Sequence, residues 1–457
     1  MSNASATAIV NGAKPRGRNA LAFIFITVLI NMTGFGVIVP VMPDLIMDVT
    51  GKDLAYAARW GGIMSAVYAI MQFVMGPVLG ALSDRFGRRP VILGSLVAYS
   101  LDFLLLAAAP SLAVLLAARI MSGAFAATFT TANAYIADIS PPEKRAANFG
   151  LMGAAFGLGF IIGPMVGGLV GEAYGVRAPF YFVAGLGLIN FIYGSIFLPE
   201  TLSRSNRRAF DWRRANMFGS FIQFRKYPEI LPIALSVFLF QIGHWSFPSV
   251  WAYYSGEKFD WSPREIAYSL TAVGLAAAIV QGGLTRVITP RLGERGTAFM
   301  SLSVATLVYG LYGAIQEGWM VYMLIPVGAF AGLTLPSLQG IMSRTVPPDA
   351  QGELQGAIAG IAGLSMIIGP YAMTQVFAAF VAPGTPVGIG PFAIAPNGAP
   401  FYMPGAPFFL ASLLAASALV TLWYAVRANP PTPKQAPADH EGLSRSAEPE
   451  PFGNLKQ

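Results

Sequence analysis

Two formal charges lie deep within otherwise apolar, uncharged sequence: Asp102 and Arg119. They stand at mirror positions about Pro110-Ser111, so two helices joined by a turn there would hold them at one depth. A charge inside a membrane costs roughly 3 kcal/mol or more and keeps a partner or an aqueous cavity. The pair therefore reads as a structural ion pair, or as a proton-binding or cation-binding acid whose affinity the guanidinium tunes. His244 is a third ionisable candidate, because imidazole titrates near neutral pH and suits proton exchange. It sits among Phe240, Trp245, Phe247 and Trp251. That cluster suits helix packing near an interfacial aromatic belt, or a wall for a hydrophobic ligand. Asn31, Gln72, Asn133, Gln241, Gln281 and Gln339 place uncharged polar groups in predicted spans. With Phe240, Trp245 and His244 they are the candidates for binding a small-molecule substrate.

The stretch 76–90 concentrates charge in a short loop, with Asp84 beside Arg85, Arg88 and Arg89. Gly76 and Gly80 give the preceding helix a small-residue face for close approach. The loop reads as a cytoplasmic charge latch, made in one conformation and broken in another, or as a topology signal on a capped turn. Gly159, Gly163, Gly167 and Gly171 recur every four residues, a ridge for tight helix packing or sliding. Pro164 within it removes a backbone hydrogen bond. The ridge is expected to face protein rather than lipid.

These residues need a membrane around them. Of the 457 residues, 55% are hydrophobic and 11% charged, against roughly 25% charge in an average soluble domain. The segments 19–43, 60–83, 146–171 and 354–426 carry no charge at all. Twelve segments suit transmembrane helices of about 20 residues. Strand-like alternation is absent, which argues against an outer-membrane barrel. With the N-terminus in the cytoplasm, most of the 29 cations fall in cytoplasmic segments, and Arg119 alone stays within the membrane. The net charge of +7 thus reflects topology, not a nucleic-acid partner. Both termini are expected in the cytoplasm, with the first apolar run kept as a helix rather than cleaved. There are no cysteines, and no phosphate-binding loop, metal-ligand cluster or nucleophile–base set appears. No cofactor or metal is expected.

The chain repeats itself at an offset of 206. Residues 161–164 recur at 367–370, Pro141-Pro142 at Pro347-Pro348, and Gly76, Arg85, Gly87, Arg89 and Gly150 at Gly282, Arg291, Gly293, Arg295 and Gly356. The expected fold is an all-α polytopic membrane protein of twelve transmembrane helices in two pseudo-symmetric six-helix halves. The expected divisions are a cytoplasmic N-terminal segment 1–19, a half 20–198, a cytoplasmic linker 199–228, a half 229–427 and a disordered tail 428–457. The linker's cations suit an anionic bilayer leaflet. The uncharged, Pro- and Gly-rich segment 381–407 reads as an outer loop.

The membrane portion, about 20–427, resembles the major facilitator superfamily. The motif at 76–90 resembles its loop signature between the second and third helices. The segment 115–127 resembles its fourth-helix motif, whose arginine, here Arg119, is associated with proton coupling. The ridge ending at 163–168 resembles the fifth-helix motif of antiporters. Within the superfamily the likeness is to bacterial tetracycline/proton antiporters, carried by 78–91, 134–139, 292–295 and 351–356. Those antiporters carry an acid in the first helix, where this chain has Asn31, and another in the ninth, where 298–315 has none. Their third-helix acid corresponds to Asp102, and His244 is a candidate substitute for a lost proton site.

The resemblance implies a bacterial inner-membrane exporter of a hydrophobic or amphipathic small molecule, driven by protons through alternating access. A monomer is expected, since one chain would hold a complete cavity. The rivals are a transporter of an endogenous metabolite or lipid, possible without proton coupling, and an intramembrane enzyme using Asp102, Arg119 and His244.

Overall fold

The computed structural model describes residues 14–126, 128–210, 226–384, 387–389, 392–395 and 398–428. Residues 1–13 of the expected N-terminal segment, 211–225 of the linker and 429–457 of the tail lie outside these residues, and 14–19 belong to the first helix. The first six spans are α1 (Lys14–Thr50), α2 (Leu54–Phe86), α3 (Arg88–Ala108), α4 (Leu112–Ile139), α5 (Arg145–Tyr174) and α6 (Ala178–Phe197). The second six begin with α7 (Pro228–Phe259). A helical stretch of 52 residues, Pro263–Ala314, follows. At 1.5 Å per residue it would run about 78 Å, far beyond one bilayer crossing. It is two spans, because Gly293 breaks it with φ 69° and ψ 167°. They are α8 (263–292) and α9 (294–314). Then come α10 (Trp319–Thr345), α11 (Gln351–Val381) and α12 (Ala406–Ala428). All twelve expected spans are present.

The repeat is visible in the backbone. Gly87, at the α2–α3 turn, has φ 109°, and its counterpart Gly293 at the α8–α9 turn is also left-handed. A side chain at either position would be strained. One-turn helices at Pro142–Lys144 and Pro348–Ala350 open α5 and α11 in the same way. The outer loop departs from expectation in one respect. Val387–Ile389 (β1) and Phe392–Ala395 (β2) pair antiparallel as a short hairpin.

Large apolar side chains on the outside, such as Ile189, Ile196, Leu307 and Leu413, are more than half exposed, as lipid-facing positions would be. Inside, α5 packs on α1 through the glycine ridge. A Cβ at Gly159, Gly163 or Gly167 would strike α1 backbone at Leu29, Thr33 or Val37, and Pro164 lies against Gly36. The ridge therefore faces protein, and its glycines are what let the two helices touch.

The halves meet at the end away from 199–210. There Gln375 Nε2 donates to the Arg59 carbonyl at 3.1 Å, and Arg264 pairs with Glu172 at 2.8 Å. Gly62 lies against the Thr374 hydroxyl, and Gly168 against Pro263 and Ala267. At the linker end, a Cβ added at Gly76, Gly150, Gly153, Gly282 or Gly352 would meet nothing within 4 Å. Contacts between the halves thus gather at the end away from the linker and reach inward to Phe73, which packs on Gly363.

Candidate functional site

Three helices line the cavity between the halves, each with one stripe. Phe35, Ile38, Val39 and Met42 come from α1, and Gly61, Met64, Ser65 and Tyr68 from α2. Trp245, Pro248, Ser249, Ala252 and Tyr253 come from α7. Each set follows the i, i+3, i+4, i+7 spacing of one helix face. Arg119 from α4 and Met366 and Pro370 from α11 complete the wall. A second cavity lies within the first half. It shares Phe35, Ile38, Tyr68 and Arg119, and adds Asn31, Ser122, Phe103 and Phe129 among others.

Asp102 and Arg119 are at the depth their mirror positions require. Arg119 Nη2 donates to Asp102 Oδ2 at 3.0 Å. Arg119 borders both cavities, whereas Asp102 is fully buried behind it. The pair is not saturated: Asp102 Oδ1 and Arg119 Nε have no hydrogen-bond partner. The guanidinium also lies 6.0 Å from the centroid of the Tyr68 ring. Anything that changes the charge of Asp102 is thus transmitted to a cation in the cavity wall.

His244 is elsewhere. Its Nδ1 shares a 2.9 Å hydrogen bond with the Tyr309 hydroxyl, and its ring stacks on Phe240 at 5.6 Å. It borders neither cavity. Phe240 is buried in the core of the second half, as is Trp251, whose Nε1 donates to Ser269 at 2.8 Å. Of the nine substrate candidates, Trp245 lines the central cavity and Asn31 the second one. Gln72 and Gln241 are half-buried one helical turn beyond the α2 and α7 stripes. Asn133 is exposed, Gln339 is half-buried away from both cavities, and Gln281 lies against Gly332. Gln281 sits in a π-helical turn, Val280–Leu284, which often marks a functional position. Tyr68, Ser65, Ser249 and Tyr253 were not singled out from sequence. They carry hydroxyls, and Ser246, Tyr254 and Ser255 put the same groups on the buried face of α7, so residue type alone does not mark the lining stripe.

The charged loop is a junction within the first half. Arg88 pairs with Asp84 at 2.6 Å and with Asp138 of α4 at 3.3 Å. Arg89 donates to the Ser195 carbonyl of α6 at 2.6 Å. Arg85 lies over the Phe86 ring. Glu200, after α6, accepts from the backbone N–H groups of Arg88 and Arg89 at 2.9 and 3.2 Å. It thereby caps α3, whose own N-cap, Gly87, has no side chain to do so. Asp138, within 134–139, and Glu200 have no spacing pattern in the sequence that marks them for this junction. The second half has an equivalent junction, where Glu294 pairs with Arg344 of α10 at 2.8 Å.

The fold and this geometry agree with the comparisons to known proteins. The model of the Major Facilitator Superfamily matches residues 24–370. The tetracycline resistance protein, class C, of Escherichia coli is 37% identical over 364 residues, covering 80% of this chain and 91% of that protein. The class G protein of Vibrio anguillarum is 33% identical over 365 residues, covering 79% and 91%. Among solved structures, a bacterial homolog to the human lysosomal transporter Spinster superposes with a TM-score of 0.67 at 17% identity, covering 91% of this chain and 96% of that one. The chain belongs to the Major Facilitator Superfamily. It is a multi-pass membrane transporter of a small-molecule substrate, and not an enzyme.

Proposed function

We propose that this chain exports a hydrophobic or amphipathic small molecule across a bacterial inner membrane in exchange for protons. The observation that carries this reading is the half-satisfied Asp102–Arg119 pair, with Arg119 in the cavity wall and Asp102 sealed behind it. The similarity to tetracycline resistance proteins supports export of a drug-like molecule. Protonating Asp102 would remove its charge and leave Arg119 uncompensated beside the cavity. Coupling then requires that this charge change cost less in one conformation than in the other. His244, hydrogen-bonded to Tyr309, is a second proton site in this reading.

The linker end is assigned to the cytoplasm, which its exposed Arg204 and Arg208 support under the positive-inside rule. The halves 20–198 and 229–427 would then rock about their closed outer end, with the loop holding Asp84, Arg85, Arg88 and Arg89 as a cytoplasmic latch. One chain encloses the whole cavity, which supports a monomeric carrier in the bilayer.

The test is proton flux into proteoliposomes carrying an internal pH-sensitive dye. Under an imposed proton gradient, compounds including tetracycline with magnesium are added in turn. The expected result is compound-triggered flux that Asp102→Asn abolishes. Equal flux in that variant would remove Asp102 from coupling. No flux with any compound would favour an uncoupled metabolite or lipid transporter.

A further inference from the structure

The three lining stripes can each be followed one turn further towards the linker end. On α1, which runs outward from that end, the next position on the face of Phe35 is Asn31. On α2, which runs the other way, the position after Tyr68 is Gln72. On α7, parallel to α1, the position before Trp245 is Gln241. The stripes end at comparable depth on the closed side, at Met42, Gly61 and Tyr253, and Gly61 lies directly against the Tyr253 hydroxyl. From there Asn31, Gln72 and Gln241 are each eleven or twelve residues inward, about 17 Å at 1.5 Å per residue. Counted along their helices, three primary amides from both halves thus lie at one level, one turn beyond the residues that line the central cavity.

Two of these amides are incompletely paired. Gln72 Oε1 is buried without a donor, and Gln241 Nε2 is buried without an acceptor. Asn31 spends its own donor on the Thr27 carbonyl at 2.8 Å. A buried polar atom without a partner is costly, and such atoms usually await one. The unmet acceptor lies on one half and the unmet donor on the other. An ammonium would find no carboxylate on these stretches of α1, α2 and α7, and a carboxylate would have to draw Arg119 away from Asp102.

We infer that Asn31, Gln72 and Gln241 form an amide collar that recognises an uncharged substrate group able both to donate and to accept hydrogen bonds, as a primary carboxamide does. The apolar body of the substrate then extends to Trp245 and Tyr68, and the collar bridges the halves through the substrate. This rests on the export reading for its substrate but not on proton coupling.

The test is binding to the purified full chain in detergent micelles, read by quenching of tryptophan fluorescence. The probes are tetracycline, which bears a primary carboxamide, and its nitrile analogue, which keeps the rings but has lost the donor. The wild-type chain should bind the amide about tenfold more tightly, the equivalent of one hydrogen bond. Gln72→Met and Gln241→Met, close in shape, should each bring that ratio towards one by weakening the amide. Equal affinities in the wild type, an unchanged ratio in both variants, or no saturable binding of either probe would overturn the collar. A ratio behaving as expected in a chain without proton flux would support the collar and defeat the coupled-export reading.

Discussion

Replacing Asp102 with Asn should destabilise the protein, and replacing both members of its pair should cost less than the single changes suggest. Arg119 is 6% exposed and Asp102 is 0% exposed, so the pair is almost wholly desolvated. Removing one partner of a buried pair typically costs about 3–5 kcal/mol, because it strands the other charge. Asn keeps a carbonyl oxygen able to accept from Arg119 Nη2, which places Asp102→Asn at the lower end, about 3 kcal/mol. Arg119→Gln strands Asp102, whose Oδ1 already lacks a donor, and should cost at least as much. In the double variant no charge is buried, so its loss should be below the sum of the singles by about 2–3 kcal/mol. Equilibrium unfolding of the four proteins in the same detergent micelles, with full-chain stability as the readout, measures that coupling. Additive losses, or a single variant as stable as the wild type, would refute the claim that these charges depend on one another. The cycle also addresses the structural reading of the pair. A large coupling energy alongside unchanged proton flux in Asp102→Asn would leave the pair as a structural element alone.

Glu200→Gln removes the anion that caps α3, and should cost about 1–2 kcal/mol in the same unfolding assay and speed proteolysis after α6. Gly163→Val forces side-chain atoms against Thr33 and Gly36 of α1 and should cut the yield of folded protein, whereas Gly153→Ala, with open space around it, should behave as the wild type. Arg344→Gln should cost at most about 1 kcal/mol because its side chain is 78% exposed, while Arg88→Gln, at 11%, should cost clearly more. The Tyr402 phenol, hydrogen-bonded to Glu257 at 2.7 Å outside the spans, is pushed up to about 12 by burial and by that carboxylate. Its folded-state value lies above the usual 10, so any stability it contributes is full below pH about 10 and is lost as the pH rises towards 12. An ultraviolet titration difference against Tyr402→Phe should show one phenol missing from the late-ionising set.

The spans were legible because lipid imposes a strong constraint: long uncharged segments have few other uses. Asp102 and Arg119 were legible for the same reason, since charge in such a segment stands out and the turn at 110–111 fixes its depth. The cavity wall was not. Phe35, Met64, Tyr68 and Pro248 differ little from lipid-facing neighbours, so a helical stripe is visible only once the partner helices are placed. Phe240 and Trp251 show the converse, aromatic residues in a suggestive cluster that the fold turns into the core of the second half. Which aromatic faces substrate depends on about 100° of rotation per residue, and residue type alone records no preference.

The two loop junctions show a different limit. At the offset of 206, Arg88 corresponds to Glu294 and Asp138 to Arg344. Both pairs form, at 3.3 and 2.8 Å, each joining the start of one helix to the end of the next. The contact is therefore repeated between the halves with its polarity reversed. A search for identical residues finds Arg85, Gly87 and Arg89 repeated and passes over this pair, because each position differs although the interaction is the same. What a repeat preserves here is the attraction between two places, and Coulomb attraction is indifferent to which partner carries which sign. The surroundings are not indifferent. Arg88 also reaches Asp84, whose counterpart is Pro290, so the first junction holds its cation with two carboxylates and the second has no carboxylate at that counterpart position. Exchanging the charges of Glu294 and Arg344 should therefore preserve stability and transport, because the pair, with Arg344 78% exposed, only changes sign. Exchanging those of Arg88 and Asp138 should damage both, because the new carboxylate at position 88 would face Asp84. If the two exchanges proved equally harmless in unfolding and flux assays, the polarity of the first junction would have no role, and its reading as a latch would fail.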